Sequence, residues 1–171
     1  TNMGRMFGHA SAFDGDITGW NVGKVTIMNA MFYAASSFNR ELSEWNVGQV
    51  TNMYQMFYVA SSFNRDISGW NVGKVTTMRS MFHGASSFTR VLCGTDWITS
   101  NAGKNLMFDA AGSGAGIATV GCEFSDQAAL KTAADEWVAN AVTARLKYGD
   151  IVDWDTSRVT NMHKLFQGAS A

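Results

Sequence analysis

Large apolar residues recur along this chain with a period of 25 residues. Each period holds a Met-Phe pair, a further Phe six residues later, and then a Trp and a Val. The Met-Phe pairs stand at 6–7, 31–32, 56–57 and 81–82, the second Phe at 13, 38, 63 and 88, and the Trp at 20, 45 and 70. One such unit cannot bury its own apolar side chains, whereas stacked units share a continuous core. The pattern therefore predicts a repeat protein.

The spacing within a unit predicts one short helix and one short strand. Met28, Met31 and Phe32 lie at i, i+3 and i+4, which places them on one face of a helix, and Thr26 stands at its N-cap position. Apolar residues alternate from Leu42 to Val47, as they do in a strand, before a turn-forming Gly. The threonines at the N-cap position are interpreted as helix caps rather than as a repetitive ice-binding face. They are Thr1, Thr26, Thr51 and Thr76.

Stacked helix-strand units predict an α/β fold, a right-handed solenoid whose strands form a parallel sheet. The hand follows from the strong preference for right-handed crossovers between parallel strands. Two columns of residues are assigned structural roles: the tryptophans fill the core, and the asparagine after each of them is expected to bond the backbone of the next unit. These residues are Trp20, Trp45, Trp70, Asn21, Asn46 and Asn71.

The chain divides into three segments. Residues 1–111 form the repeat array, with four units and a degenerate fifth that keeps Met107-Phe108. Residues 112–149 are predicted to form a connector and a helix, from about residue 126 to residue 147, that caps the stack. The apolar face of this helix comprises Leu130, Ala134, Trp137, Val138 and Ala141. The repeat pattern returns at residues 150–171, which we interpret as the truncated start of a second array.

Composition argues against two classes of partner. The net charge of −1 gives no basic excess to neutralise phosphates, which argues against nucleic acid. No apolar run approaches the roughly 20 residues that a membrane helix needs, so we expect no membrane insertion by this segment. The two cysteines, Cys93 and Cys122, either form a disulfide, as is common in secreted proteins, or remain free and buried.

The remaining polar residues form no pattern of nucleophile and base, paired acids or metal ligands. The aspartates at 150, 153 and 155 lack the spacing of a calcium loop, and the glycines at 112, 114 and 116 lack the Lys-Ser or Lys-Thr of a phosphate loop. The histidines are predicted to be exposed rather than metal-bound. They are His9, His83 and His163. The sequence therefore predicts a protein that is not an enzyme and that has no metal or other cofactor.

The repeat units also resemble a known family. The run from Val50 to Val72 contains Thr51-Asn52-Met53, Met56-Phe57 and Gly69-Trp70-Asn71, and it resembles the bacterial surface protein 26-residue repeat, or BspA-like repeat, a relative of leucine-rich repeats. The segment from Leu130 to Asp155 is similar to the segment that opens a new array in algal members. The resemblance implies a leucine-rich-repeat-like solenoid outside the cell or at the cell surface, and it carries over no catalytic residues. The units depart from the family in their 25-residue length and in the aberrant fifth turn.

Two columns of side chains that vary between units are candidate ligand-binding surfaces. The first consists of Gly8, Tyr33, Tyr58 and His83, with Tyr54 nearby on the same predicted helix. Exposed aromatic residues of this kind contact proteins or sugars, although they also seal the edges of cores. The second column consists of Arg40, Arg65 and Arg90. These arginines either recognise an acidic partner or form exposed ion pairs, with acids such as Glu41 and Asp66, that contribute little to stability.

The repeat pattern and the resemblance together favour a non-catalytic extracellular or cell-surface module for adhesion, or for recognition of a protein or glycan. The alternative is an intracellular scaffold for protein–protein interaction. The state of the cysteines distinguishes these hypotheses, because disulfides persist outside the cell and are reduced in the cytosol.

Overall fold

The computed structural model describes residues 1–124, 127–160, 162 and 165. Its regular elements are β1 (Val91–Leu92), α1 (Thr95–Thr99), β2 (Gly116–Ile117), α2 (Gln127–Ala139), α3 (Ala141–Tyr148) and a 3-10 helix (Ile151–Asp153). Strands β1 and β2 pair in parallel. The first 90 residues consist of tight turns and short extended segments. The predictions that fall on His163 and on residues 166–171 lie outside the described residues.

The helix predicted in each repeat unit is wrong, because the backbone changes hand within it. Ala30 and Ala34 have φ values of 52° and 54°, in the left-handed region. Around them, the N–H groups of Met31, Tyr33 and Ala35 each donate to the carbonyl three residues earlier, at 3.1–3.3 Å, which makes three successive turns. The same paired left-handed positions recur at 5 and 9, 55 and 59, 80 and 84, and 106 and 110. Apolar residues spaced at i, i+3 and i+4 fit this series of turns as well as they fit a helix.

A ladder of backbone hydrogen bonds joins each unit to the next. In the second unit, alternate N–H groups donate to carbonyls of the third unit at 2.7–2.9 Å. The donors are Met28, Ala30, Phe32 and Ala34, and the acceptors are Asn52, Tyr54, Met56 and Tyr58. In these four bonds the donor always belongs to the second unit and the acceptor to the third. Two bonds outside the segment from Met28 to Ala34 run the other way, because the Thr51 and Ser62 N–H groups of the third unit donate to carbonyls of the second unit. Isolated parallel bridges connect residues 2, 27, 52, 77 and 103 in series.

The strand predicted from Leu42 to Val47 is also wrong. The Trp45 N–H donates to the Leu42 carbonyl at 3.0 Å, and the Val50 N–H donates to the Val47 carbonyl at 2.8 Å, so that turns occupy this segment. Parallel pairing between units occurs instead next to the segment predicted to be helical. The first three units therefore consist of turns and short extended segments, and main-chain hydrogen bonds join each of them to the next unit.

Stacked rings and methionines fill the interior of the repeats. Phe57 lies between Phe32 and Phe82, with ring centroids 5.4 and 5.5 Å away and nearly parallel planes. Met28 and Met53 are completely buried beside them. Burial of each such side chain contributes about 1.5–3 kcal/mol to the stability of the fold. Because each Phe of the two columns contacts a Phe of the neighbouring unit, the core is continuous along the stack.

The tryptophans share one buried role, with one exception. Trp45 and Trp70 are buried, and each indole N–H donates to a carbonyl of the preceding unit, at 3.2 and 2.8 Å respectively. Trp97, two residues out of register, makes the equivalent bond at 3.0 Å. Trp20 differs because it belongs to the first unit and is covered on one side only; it is 39% exposed.

The asparagines after the tryptophans stabilise their own unit and not the next one, so that part of the prediction is wrong. Each accepts a hydrogen bond at 3.2 Å from the N–H of the Gly two residues later, because an Asx turn is local. The residues are Asn21, Asn46 and Asn71. A ladder between units exists elsewhere: the Asn64 N–H donates to Asn39 Oδ1 at 3.0 Å, and the Thr89 N–H donates to Asn64 Oδ1 at 3.1 Å.

The threonine column does not cap helices, because turns follow it. The hydroxyls of Thr26, Thr51 and Thr76 each donate to the carbonyl of the preceding threonine in the column, at 2.9–3.1 Å. Their N–H groups donate to the same carbonyls. The column therefore reinforces the contact between units at an exposed edge.

Helices α2 and α3 replace the single helix predicted after the connector. Asn140 separates them: its backbone is extended, and its Oδ1 accepts a hydrogen bond from the Thr143 N–H at 3.1 Å, which makes it the N-cap of α3. The buried residues of α2 are Leu130, Ala133 and Ala134, and Trp137 is partly buried. Two residues predicted on the same face are exposed, Val138 and Ala141.

A disulfide and the connector hold the carboxyl-terminal segment against the repeats. Cys93 and Cys122 are bonded, with their Cα atoms 5.4 Å apart. Ala115 and Ile117 of the connector pack against the core of the repeats, whereas α2 and α3 belong to a separate cluster. The connector therefore packs against the core of the repeats, and the capping role of the helix stays a prediction. Within the predicted second array, Asp155 pairs in parallel with residue 123.

Candidate ligand-binding surface

Four aromatic side chains form a continuous row along one side of the stack, which we call the aromatic edge: His9, Tyr33, Tyr58 and His83. The ring centroids of neighbours lie 4.7–5.0 Å apart. The structure thus brings together the three predicted aromatic residues and adds His9. Alignment at 25 residues places Gly8 in this column, but Gly8 has no side chain, and the next residue, His9, has a left-handed φ of 63° and contacts Tyr33 with its ring. Alignment at 25 residues does not identify His9, because its ring reaches the row from a position one residue later than the equivalent residue of the other units.

The way these rings stack determines which of their atoms meet solvent. Tyr33 and Tyr58 are almost parallel, with an interplanar angle of 2°, and Tyr58 and His83 are inclined by 11°. Each tyrosine is half-buried. Tyr58 is stacked between Tyr33 and His83. Tyr33 is stacked on Tyr58 and contacts the His9 ring, which is inclined by 51°. The edge therefore presents ring edges, phenol hydroxyls and imidazole nitrogens, a combination that provides apolar contact together with hydrogen bonding.

The aromatic edge ends in a contact between an imidazole and a carboxylate. His83 Nδ1 lies 3.1 Å from Asp109 Oδ2 in the fifth unit. The Asp109 side chain is 55% exposed, so its carboxylate is accessible to a ligand, whereas His83 Nδ1 is buried.

A cavity of about 300 Å³ lies at the opposite end of the aromatic edge. It is lined by Arg5, Gly8, His9, Ala30, Tyr33 and Gln55. The cavity exists because two columns have their smallest members here: Gly8 stands where later units have Tyr or His, and Ala30 lies between Arg5 and Gln55 in the left-handed column. Sequence reasoning did not predict this cavity, since it depends on how two columns lie side by side.

Tyr54 is not part of the aromatic edge. Its side chain is 37% exposed, and its N–H donates to Asn52 Oδ1 at 2.9 Å. Within the described part of the chain its ring contacts no other aromatic ring. Tyr54 was predicted to lie one helical turn before Tyr58, and the absence of that helix places it in a different column.

The arginine column is engaged within the protein. Arg40 and Arg65 each form an ion pair at 2.8 Å, with Asp14 and Glu41 respectively, and each Nε also donates to a carbonyl of the preceding unit at 2.8 Å. Arg90 pairs with Asp153 at 3.3 Å. These contacts favour the interpretation of the column as ion pairs that link neighbouring units and tie in the carboxyl-terminal segment. The hypothesis of a strip that recognises an acidic partner has no support from this geometry.

Acidic residues meet where the carboxyl-terminal segment joins the stack. Arg145 pairs with Asp150 at 2.6 Å and also donates to the Thr89 carbonyl. Burial and the nearby Asp66 carboxylate raise the pKa of Asp153 above its ordinary value, whereas Arg90 opposes this shift. The junction is therefore an electrostatic contact between segments.

The described residues contain neither a cluster of metal ligands nor a membrane-spanning helix. No group of three or more His, Cys, Asp or Glu side chains there could hold a metal ion. Among the helices described, none is long and apolar enough to cross a bilayer.

Comparison with known proteins identifies a family but no characterised relative. No curated protein and no solved structure matches the chain. A family described as "Mycoplasma protein of unknown function, DUF285" matches residues 1–116 and 136–171, which include the stacked units and most of the carboxyl-terminal segment. The chain therefore belongs to the family of Mycoplasma proteins of unknown function, DUF285.

Proposed function

We propose that this chain is a non-catalytic recognition module of an extracellular or cell-surface protein, built as a right-handed BspA-like solenoid, and that it binds a protein ligand along the aromatic edge. The observation that carries the proposal is the stacked row from His9 to His83, which continues across four units. Exposed Tyr and His side chains in a fixed array offer contact area with little loss of conformational entropy on binding.

The arrangement of the rings favours a protein over a glycan as the ligand. Sugar rings pack on the open faces of aromatic side chains, but both faces of Tyr58 are stacked on neighbouring rings. Tyr33 has one face stacked on Tyr58 and also contacts the inclined His9 ring. Ring edges and hydroxyls remain available, and these suit the mixed apolar and hydrogen-bonding surface of a polypeptide.

The disulfide between Cys93 and Cys122 supports a location outside the cell. Disulfides of this kind persist in oxidising compartments and are rare in the cytosol. An intracellular scaffold is the competing hypothesis. It requires both thiols to be free in the native protein from its source cells, and labelling of that protein with a thiol reagent under denaturing conditions decides between the two.

The proposal is tested by binding the purified chain to two arrays in parallel, one of secreted and surface proteins and one of glycans. We expect protein ligands that are retained by Tyr54→Ala, an exposed tyrosine outside the edge, and lost in the triple variant Tyr33→Ala/Tyr58→Ala/His83→Ala. The variant Tyr33→Phe/Tyr58→Phe keeps the stacked rings and removes the hydroxyls. We expect it to bind the ligand more weakly while its free energy of unfolding is unchanged, which would show that the hydroxyls act in recognition and not in folding. Binding only to glycans, or protein binding that survives the triple variant, would refute the proposal.

A further inference from the structure

We propose that the cavity at the His9 end of the aromatic edge is a subsite for a carboxylate, supplied by an acidic side chain of the protein ligand. The class of partner rests on the proposed function above, whereas the carboxylate preference is argued from the cavity itself. This subsite would fix the position and direction in which a polypeptide lies along the edge.

Arg5 provides the positive charge. Arg40, Arg65, Arg90 and Arg145 all pair with aspartate or glutamate. Arg5 is exposed, and no acidic group in the described part of the chain pairs with its guanidinium. A guanidinium presents parallel N–H donors that match the two oxygens of a carboxylate, and such charge-assisted bonds are about twice as strong as neutral ones.

The size of the cavity fits one side chain. Its volume of about 300 Å³ lies at the lower end of the range for ligand pockets. Gly8 and Ala30 leave this space open beside Arg5, whereas Tyr33 and Tyr58 fill the corresponding column in the next two units. The subsite is therefore specific to the first unit and is not repeated along the stack.

The rest of the lining suits a singly charged anion. Among the described residues, no Asp or Glu lines the cavity, so a carboxylate would meet no like charge from them. Two further lining residues, Tyr33 and Gln55, carry neutral hydrogen-bond donors in their side chains. One guanidinium with neutral donors matches the single charge of a carboxylate better than the near-double charge of a phosphate.

The test is an NMR titration of the isotope-labelled chain with two probes, acetyl-glutamate methylamide and its neutral isostere acetyl-glutamine methylamide. We expect shifts at the amides of Gly8, His9 and Ala30 and an affinity about tenfold higher for the glutamate probe, as one charge-assisted hydrogen bond implies. Arg5→Gln should remove that preference. Arg79→Gln, which deletes an exposed and equally unpaired arginine outside the cavity, should leave it unchanged.

A second variant tests the cavity without altering charge. Gly8→Tyr introduces the residue that stands at the same position in the next two units, and it should abolish binding of both probes. Its Cβ would lie 3.2 Å from the Arg5 carbonyl oxygen, so an amide spectrum that retains the shifts of the other units is the check that the variant is folded. Equal affinity for the two probes, or a preference that persists in Arg5→Gln, would overturn the subsite. Those results would not contradict the proposal that the aromatic edge binds a protein. Conversely, failure of the array experiment would not contradict a carboxylate preference measured in the probe titration.

Discussion

At the residue scale, the paired left-handed positions carry a backbone cost that recurs in each of the five units. An L-residue in this region costs roughly 1–2 kcal/mol relative to the right-handed conformation, a cost that glycine avoids. Most of these positions nevertheless hold residues with side chains, including Val59 at φ 54°, whose branched Cβ makes the conformation unusual. Gly84 occupies the equivalent position in the fourth unit. The ladder bonds made by these N–H groups offset the backbone cost.

Gly84→Ala tests this constraint. The new Cβ would lie 3.1 Å from Val59 Cγ2 and would stand at φ 69°, so we expect the free energy of unfolding to fall by about 1 kcal/mol in urea titrations. Gly69→Ala is the matched control, because its Cβ meets nothing within 4 Å and its φ lies outside the left-handed region. It should change stability by less than about 0.5 kcal/mol. Equal losses in the two variants would contradict the argument.

At the scale of elements, the sequence pattern predicts the burial of residues well, but it predicts their backbone conformation poorly. The period of 25 and the buried Met, Phe and Trp columns follow from the spacing of apolar residues alone. The local conformation does not, because Met28, Met31 and Phe32 face one way both in a helix and in successive turns of alternating hand. The second array of hydrogen bonds, through Asn39 and Asn64, escapes prediction because those residues look like ordinary surface positions.

Helices α2 and α3 are joined by a polar contact that depends on pH. Lys147 Nζ donates to both carboxylate oxygens of Glu136, at 2.8 and 2.9 Å, and the Tyr148 hydroxyl donates to Oε1 at 3.1 Å. The hydrogen bond from Lys147, with a smaller contribution from Tyr148, lowers the pKa of Glu136 below its ordinary value of 4.5, although partial desolvation opposes the shift. The contact therefore favours the ionised carboxylate in the folded state.

The sign of this shift fixes the expected pH dependence. Because the folded-state pKa of Glu136 is lowered, its contribution to stability is complete above the unfolded pKa and disappears as the pH falls through the lower, folded pKa. We expect the carboxyl carbon of Glu136 to titrate below 4.5 in NMR spectra. Glu136→Gln should remove the acid-sensitive part of amide-exchange protection in α2 and α3 while leaving the repeat units unchanged. A titration at or above the ordinary value would show that the contact is absent in solution.

At the scale of the whole molecule, the disulfide ties the repeats to the carboxyl-terminal segment. It closes a loop of sequence separation 29 that contains the fifth unit and the connector. From the sequence alone, a disulfide and two free thiols are equally open interpretations of Cys93 and Cys122. The choice depends on the distance between the two residues, which only the fold determines. The cavity beside Arg5 is likewise not predictable from the sequence, because it forms only where two columns of residues lie side by side in the fold.

Removal of the disulfide should destabilise the molecule as a unit. The double variant Cys93→Ala/Cys122→Ala is expected to lose about 3 kcal/mol of unfolding free energy, since a loop of this size is costly to close without the bond. Denaturant titrations of the variant, with the wild-type protein in reductant as the companion sample, measure the loss. A change below about 1 kcal/mol would mean that other contacts, such as Arg90 with Asp153, already hold the segments together.

The common direction of the ladder bonds makes the two ends of the stack chemically different. In the segment from Met28 to Ala34, every N–H group that bonds to another unit faces the following unit, so in this segment one side of a unit offers N–H groups and the other side offers carbonyls. Two arrays brought together by a two-fold axis would oppose donors with donors or acceptors with acceptors, and their ladders would stay unpaired. End-to-end association of such arrays must therefore be head-to-tail, and an assembly built this way has a polarity and no isologous contact along its axis.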